Sequence, residues 1–392
     1  FGPQEAHRLG VAILKGVDRE HGEADIARGR RLLDQAGRSG DTAALVALAG
    51  TWRGIDEDLA RDLYGAVVKL DPSEPYALGN LLEYEIERSQ DLSAVERSRS
   101  LIQKAIELRR AQTVVGQDVP WSWFDLGKFQ LLLGAANDAY GSFVAGVLTS
   151  TAPYMPGSAL GSIERLARWL PHLPGSGEVQ ALLRLSTVAV FGADRHSITD
   201  LASPDGSQLS SPVLIVAGAS DATSSIIVSR LRAPLLGALA GGELTIVSGG
   251  TTSGVSALVG DIAAAIPAIR TIGYLPTTTQ HGSDQDARYS ELRTTDGWTF
   301  GTREPLRYWA DILASGVDPG DVRMFAVGGG QLSGLEYRTA LAFGAQVAVL
   351  KESGGEASAL MRDPAWAISD RLVEISAAED DIGSFLVQKA NG

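Results

Sequence analysis

Cysteine is absent from the 392 residues. That excludes disulfides, thiolate nucleophiles and every cysteine-ligated metal site. Histidine is scarce: His7, His21, His172, His196 and His281 are scattered without HExxH or any other ligand spacing, so no metal site is expected. Positive charge is also short. With 34 Lys and Arg against 47 Asp and Glu, the formal net charge is −13, which disfavours general binding to nucleic acid or an anionic membrane, since both need a basic surface. A local group of arginines could still hold a phosphorylated ligand. No apolar run approaches the roughly 20 residues of a spanning helix, and the N-terminus lacks the basic-then-apolar order of a signal peptide. The expectation is a globular, cytoplasmic protein. Because the chain opens on Phe1 rather than Met, that expectation includes a preceding segment in which an effector could stand.

What is present suffices for two domains, with 44% hydrophobic residues over a length too great for one typical core. Residues 1–191 read as all-α: apolar positions recur at helical spacing, and "RSGD", "LDPSEP", "GQDVPW", "TAPYMPGS" and "LPHLPGSG" punctuate them. Residues 192–211, polar and rich in Ser, Asp and Gly, read as a linker. From 212 to 392 short, continuous apolar runs such as "VLIVAGA", "ELTIVSGG" and "VRMFAVGGG" alternate with helical stretches. That alternation predicts a Rossmann-like parallel sheet with helices on both faces. The fold class expected is therefore α plus α/β.

The helical half is repetitive. In "WSWFDLGKFQLLLGAANDAYGSFVAGVLTSTAP", Trp123, Leu126, Gly127, Ala139, Phe143 and Gly146 stand where a tetratricopeptide (TPR) repeat places its packing residues. Ala60, Tyr64 and Pro72 fit a second copy, and Leu78, Gly79 and Ala105 a third. This half resembles a TPR-type solenoid, and its wording is similar to helical regulatory arrays beside kinases of the apoptosis-signal-regulating type. A plain helical bundle is the alternative. The resemblance implies an element that binds a protein partner or makes a homo-oligomer.

In parallel sheets ligands bind beyond the carboxyl ends of the strands, so chemistry is expected in the strand-to-helix loops. Three are rich in small residues: "AGASDATSS" (Ala217 to Ser225), "SGGTTSGVS" (Ser248 to Ser256) and "VGGGQLSGLE" (Val327 to Glu336). Glycine lets backbone approach a ligand, and a helix N-terminus favours an anion, so a nucleotide-like ligand leads. The P-loop pattern G-x-x-x-x-G-K-S/T is absent. Gly328, Gly330 and Ser333 approximate a dinucleotide fingerprint, with Glu352 placed for a ribose hydroxyl, which keeps a hydride-transfer enzyme as a minor alternative.

Together "SGGTTSGVSALVGD" and, some eighty residues on, "VGGGQLSGLEYRTALAFGAQVAVL" resemble the SLOG superfamily, over roughly Ser211 to Ile375. That superfamily joins the LOG phosphoribohydrolases to ligand-sensing domains of bacterial defence proteins and of TRPM channels (LSDAT). The LOG signature proline-Gly-Gly-x-Gly-Thr-x-x-Glu falls on Gly328 to Glu336, keeping two glycines and Glu336, with Leu332 and Ser333 in place of its later glycine and threonine. The resemblance implies a sensor of a nucleotide-derived signal, ADP-ribose-like, NAD-like or a cyclic nucleotide. Phosphate would be held by the amides of Gly218, Ala219, Gly249, Gly250, Gly254, Gly328, Gly329, Gly330 and Gln331, with the hydroxyls of Ser220, Thr251, Thr252 and Ser333. Glu336 and Glu352 would take ribose hydroxyls, and an arginine from "GTREPLRYWADIL", Arg303 or Arg307, would supply charge. The alternative is a LOG-like N-glycosidic hydrolase in which Glu336 and Arg307 are catalytic. A further alternative makes Glu336 a first-turn carboxylate that only complements its helix dipole.

Overall fold

The computed structural model of the chain describes residues 2–16, 22–204, 206–220, 225–277 and 285–387. Two compact units emerge, one of Phe1–Ala139 with Ser162–Pro174 and the other of Tyr140–Gly161 with Gly175–Gly392. No helix among the described residues is long and apolar enough to cross a membrane.

The first unit is helical: α1 (Pro3–Gly16), α2 (Glu23–Arg38), α3 (Thr42–Trp52), α4 (Glu57–Leu70), α5 (Pro75–Ser89), α6 (Ser93–Arg97), α7 (Arg99–Val114) and α8 (Trp121–Leu132). Successive helices from α1 to α5 pack on one another, as short connections dictate. The punctuation seen in the sequence supplies the caps. Asp41, Asp56 and Glu74 accept from the amides of Ala44, Leu59 and Ala77, satisfying donors that open α3, α4 and α5. The expected repeat positions Ala60, Tyr64, Leu78, Ala105 and Leu126 are all buried. A charge knot lies among them. Glu83 is buried and accepts from Lys128 Nζ at 3.0 Å, Arg53 Nη2 at 3.1 Å and Arg165 Nη2 at 2.8 Å. Burial pushes its carboxyl up, but Lys128, Arg165 and Arg53 outweigh burial and hold it at about 2. The boundary between the units falls within α9 (Ala136–Leu148) and α10 (Tyr154–Trp169).

After its Tyr140–Gly161 segment, the second unit continues with α11 (Ser176–Phe191) and a 3₁₀ turn (Arg195–Leu201). There follow β1 (Val213–Gly218), α12 (Ser225–Leu239), β2 (Thr245–Ser248), α13 (Gly254–Ala265), β3 (Arg270–Pro276) and β4 (Glu291–Thr295). Then come α14 (Arg303–Ala314), β5 (Val322–Val327), α15 (Gln331–Phe343), β6 (Gln346–Leu350), α16 (Gly355–Leu360), β7 (Leu372–Ile375) and α17 (Glu379–Val387). The strands form one sheet in the order β4-β3-β2-β1-β5-β6-β7, every pair parallel. β1 and β5 pair along six residues, from Val213 opposite Val322 to Gly218 opposite Val327, and both are buried on both faces almost throughout. That burial is why they read as apolar runs, broken only by Arg323 in β5. Leucines and valines of α12 and α13, with Ile382 and Phe385 of α17, cover one face. α14 and α15 cover the other, joined by the edge-to-face pair Trp309 and Phe343 at 5.2 Å, and α11 packs on them both.

Two elements differ from the sequence reading. Residues 192–211 do not form a free tether: they belong to the second unit, where the Ser203 amide and hydroxyl donate to Asp311 at 2.6 and 2.7 Å. Arg293 Nη2 also donates to the Ser207 carbonyl at 2.6 Å. α11, expected in the helical domain, belongs to the second unit as well.

Candidate functional site

β1 has β2 on one side and β5 on the other, so the strand order reverses between β1 and β5. Loops leaving neighbouring strands there turn to opposite faces and leave a crevice. It is present as a cleft of about 790 Å³. Its walls are the loops after β1, β2, β5 and β6 and the first two turns of α14 and α15.

Backbone geometry brings these loops together. Gly218 has φ +150, and a Cβ there would lie 2.0 Å from the Val327 carbonyl oxygen. Only glycine lets β1 end that close to β5, and the next amide, of Ala219, then donates to the same carbonyl at 3.0 Å. The Ala219 carbonyl in turn accepts from the Val255 amide at 3.2 Å, drawing the α13 N-terminus in. Gly329, at φ +83, passes with its Cα side toward Ser333 and Tyr337, where a Cβ would sit 2.5 Å from Ser333 Cβ. That closes the tight turn into α15.

Of the residues expected at the site, Gly218, Ala219, Ser220, Gly249, Thr251, Gly328, Gly329, Gly330, Gln331, Ser333 and Glu336 line this one cleft. Residues 221–224 of the loop after β1 lie outside the described residues. Gly250, Thr252, Gly254 and Glu352 do not line it. Gly250 turns its carbonyl to the Asp286 amide at 2.9 Å, Thr252 is exposed, and the residues after Glu352 (Ser353, Gly354 and Gly355) reach the cleft in its place.

Neither arginine lines the cleft, contrary to expectation. Arg303 is paired with Glu178 at 2.6 Å and Arg307 donates to the Ala202 carbonyl at 2.6 Å. Helical spacing explains this: residues four apart share a stripe, so Arg303 and Arg307 occupy one stripe of α14 while Glu304 and Tyr308 occupy the next. It is Glu304 and Tyr308 that face the cleft. Among the described lining residues there is no Lys, Arg or His, and there are two carboxylates.

Those carboxylates are held differently. Glu304, buried at the start of α14, accepts from the Thr295 hydroxyl and from the Gly301 amide at 2.8 Å. Glu336, in the second turn of α15, accepts from Tyr308 Oη at 2.9 Å. It keeps part of its surface open to the cleft while protein encloses most of the rest. Burial, reinforced by the charge of Glu304 and opposed by the Tyr308 hydrogen bond, pushes the Glu336 carboxyl up to about 7. At neutral pH it therefore divides between proton donor and proton acceptor. Sequence reasoning missed Glu304, Tyr308, Tyr274, Phe300 and Ser353, all of which line the cleft. The i, i+4 pair Glu304 and Tyr308 was the available signal.

No family model matches the chain, and no curated protein is similar to it. Among solved structures, the structural-genomics target TM1055 is similar at 19% identity, over 43% of this chain and 94% of that one, with a TM-score of 0.31. A mutant of the Thermobaculum terrenum O-GlcNAc transferase is similar at 12% identity over 90% of both chains, with a TM-score of 0.19. Overlaps this loose fix no family, and the fold stands on the sheet order and its helical faces.

Proposed function

We propose that the second unit binds a nucleotide-derived small molecule in this cleft and that the chain is a sensor of it. The observation that carries the reading is the cleft's position: it lies at the strand-order reversal and gathers residues from all three small-residue loops. Glu336 and Glu304 suit ribose hydroxyls or a positively charged base, and the glycine-loop amides suit a phosphoryl group. An ADP-ribose-like molecule, NAD or a cyclic nucleotide supplies both. On this reading the helical unit carries the event to a protein partner or assembles copies of the chain, and a role in bacterial defence follows from the resemblance to SLOG sensors. A thermal-shift screen of ADP-ribose, NAD, cyclic nucleotides and nucleoside monophosphates tests it. A ligand at 100-fold excess over its Kd stabilises by about 2.7 kcal/mol, and a panel without any shift would sink the reading.

A second reading rests on the proton balance of Glu336. A carboxyl titrating near 7 suits a general base for N-glycosidic hydrolysis. Water adds to the sugar carbon as the bond to the base breaks, and the proton Glu336 takes from water passes to the departing base. Incubation with AMP and NAD, following free base, decides it: release lost in Glu336→Gln makes the chain a hydrolase, and no release leaves the sensor.

A further inference from the structure

Neither carboxylate of the cleft has a cation to answer it. Glu304 is 5% exposed and accepts from two uncharged donors, the Thr295 hydroxyl and the Gly301 amide, and Gly301 itself lines the cleft. Glu336 is half-buried and accepts from Tyr308 Oη through Oε1, while its Oε2 has no hydrogen-bond partner among the described residues. Arg303, next to Glu304 in sequence, is turned to Glu178 at 2.6 Å, and no ion pair to either cleft carboxylate exists among the described residues. Burial and the charge of Glu304 both hold a proton on Glu336 against the pull of Tyr308, so the two carboxylates feel each other.

A buried carboxylate without a counter-charge is costly, and two in one cavity are costlier. No Lys, Arg or His stands among the described lining residues, so the matching charge is one that arrives with the ligand. The surroundings decide its kind. A divalent metal ion needs a full sphere of oxygen ligands, and no group of three or more His, Asp or Glu side chains that could hold one gathers among the described residues. Aromatic rings are there instead: Phe300, Tyr274 and Tyr308 line the same cleft, Tyr308 bonds Glu336, and Tyr274 meets Tyr308 edge to face at 5.9 Å. Aromatic faces attract a cation, and most readily one whose own body is apolar.

We propose that Glu304 and Glu336, with the rings beside them, form a subsite for a planar organic cation. On the nucleotide reading above, on which this inference rests, that cation is a positively charged base, and the oxidised nicotinamide ring is the commonest group of that chemistry. The ring lies against the aromatic side chains, and the carboxylates neutralise its charge. Ligands that share the rest of the nucleotide but lack the charge bind less tightly.

Calorimetric titration of the full chain at pH 8 in EDTA, with NAD⁺, NADH and ADP-ribose, tests this on wild type, Glu336→Gln and Glu304→Gln. At that pH Glu336, which titrates at about 7, is ionised. NAD⁺ and NADH differ in the charge and planarity of one ring, and ADP-ribose lacks the ring. Wild type is expected to bind NAD⁺ at least about tenfold tighter than either of the others, the effect of one favourable charge contact in a partly desolvated site. Each variant is expected to bring NAD⁺ down to the affinity of NADH and to leave NADH and ADP-ribose unchanged. A merely structural role would instead weaken all three ligands alike. Equal binding of the three by wild type, a preference for NADH, or a preference for NAD⁺ that survives in both variants overturns the cation subsite and leaves the nucleotide cleft standing. If none of the three binds, both inferences fall.

Discussion

Replacing Glu336 by Gln keeps the shape and the acceptor for Tyr308 but removes the ability to ionise. The wild-type carboxyl titrates at about 7 in the folded chain and at its ordinary 4.5 once unfolded. Below the unfolded value both states carry the proton, and no penalty exists. Between the two values the folded chain keeps a proton that the unfolded chain has released, so stability falls as pH rises, and above about 7 the penalty is complete. Its upper limit is roughly 3 kcal/mol, and water entering the cleft reduces it. For a unit of this size about 2–4 °C of melting temperature accompanies each kcal/mol, so several degrees are at stake. The assay is differential scanning calorimetry of both proteins from pH 5 to pH 8. Every other titrating group is common to both, so the difference isolates Glu336. Glu336→Gln should gain on wild type progressively across that range. A difference that stays flat would refute the claim that Glu336 is a desolvated carboxyl.

Tyr308→Phe removes the hydrogen bond that favours ionised Glu336, so the pH window over which Glu336→Gln gains stability should move upward when it is measured in the Tyr308→Phe background. Gly218→Ala would force a Cβ to 2.0 Å from the Val327 carbonyl at a φ of +150; urea unfolding should show a loss of about 3 kcal/mol or more. Glu83→Gln leaves Lys128, Arg165 and Arg53 around an uncharged amide and should cost about 3–5 kcal/mol at pH 7. Because the folded Glu83 carboxyl titrates at about 2, below its ordinary 4.5, its contribution is present above 4.5 and is lost as pH falls toward 2. Wild type and variant should therefore converge in urea titrations repeated in acid.

The sheet was legible where burial is two-sided. Val213–Gly218 is a continuous apolar run, and Val322–Val327 is one but for Arg323, because helices cover both faces. β4 was not legible, because an edge strand alternates: Arg293 turns inward to Asp311 at 2.6 Å while Thr294 is exposed, and "ELRTT" then resembles a loop. The same network explains the supposed linker. Ser203 and Ser207 look like solvated tether residues by composition, yet they supply hydrogen bonds to Asp311 and Arg293. Periodicity marks α11 as a helix but carries no information about what it packs on, so its place in the second unit is not readable from the sequence. At the site, glycine loops were readable because close backbone approach demands glycine. The charged residues were harder, since Arg303 and Glu304 are adjacent in sequence and only their different stripes on α14 send one to Glu178 and the other to the cleft.

Hydrogen exchange followed by mass spectrometry, on the full chain with and without AMP and ADP-ribose, examines the cleft most directly. Slower exchange is predicted at 218–220, 249–256, 328–336 and 353–357, with the helices of the first unit unchanged at α1 to α4. Protection confined to that first unit, or no protection anywhere, would contradict a nucleotide site at the reversal between β1 and β5.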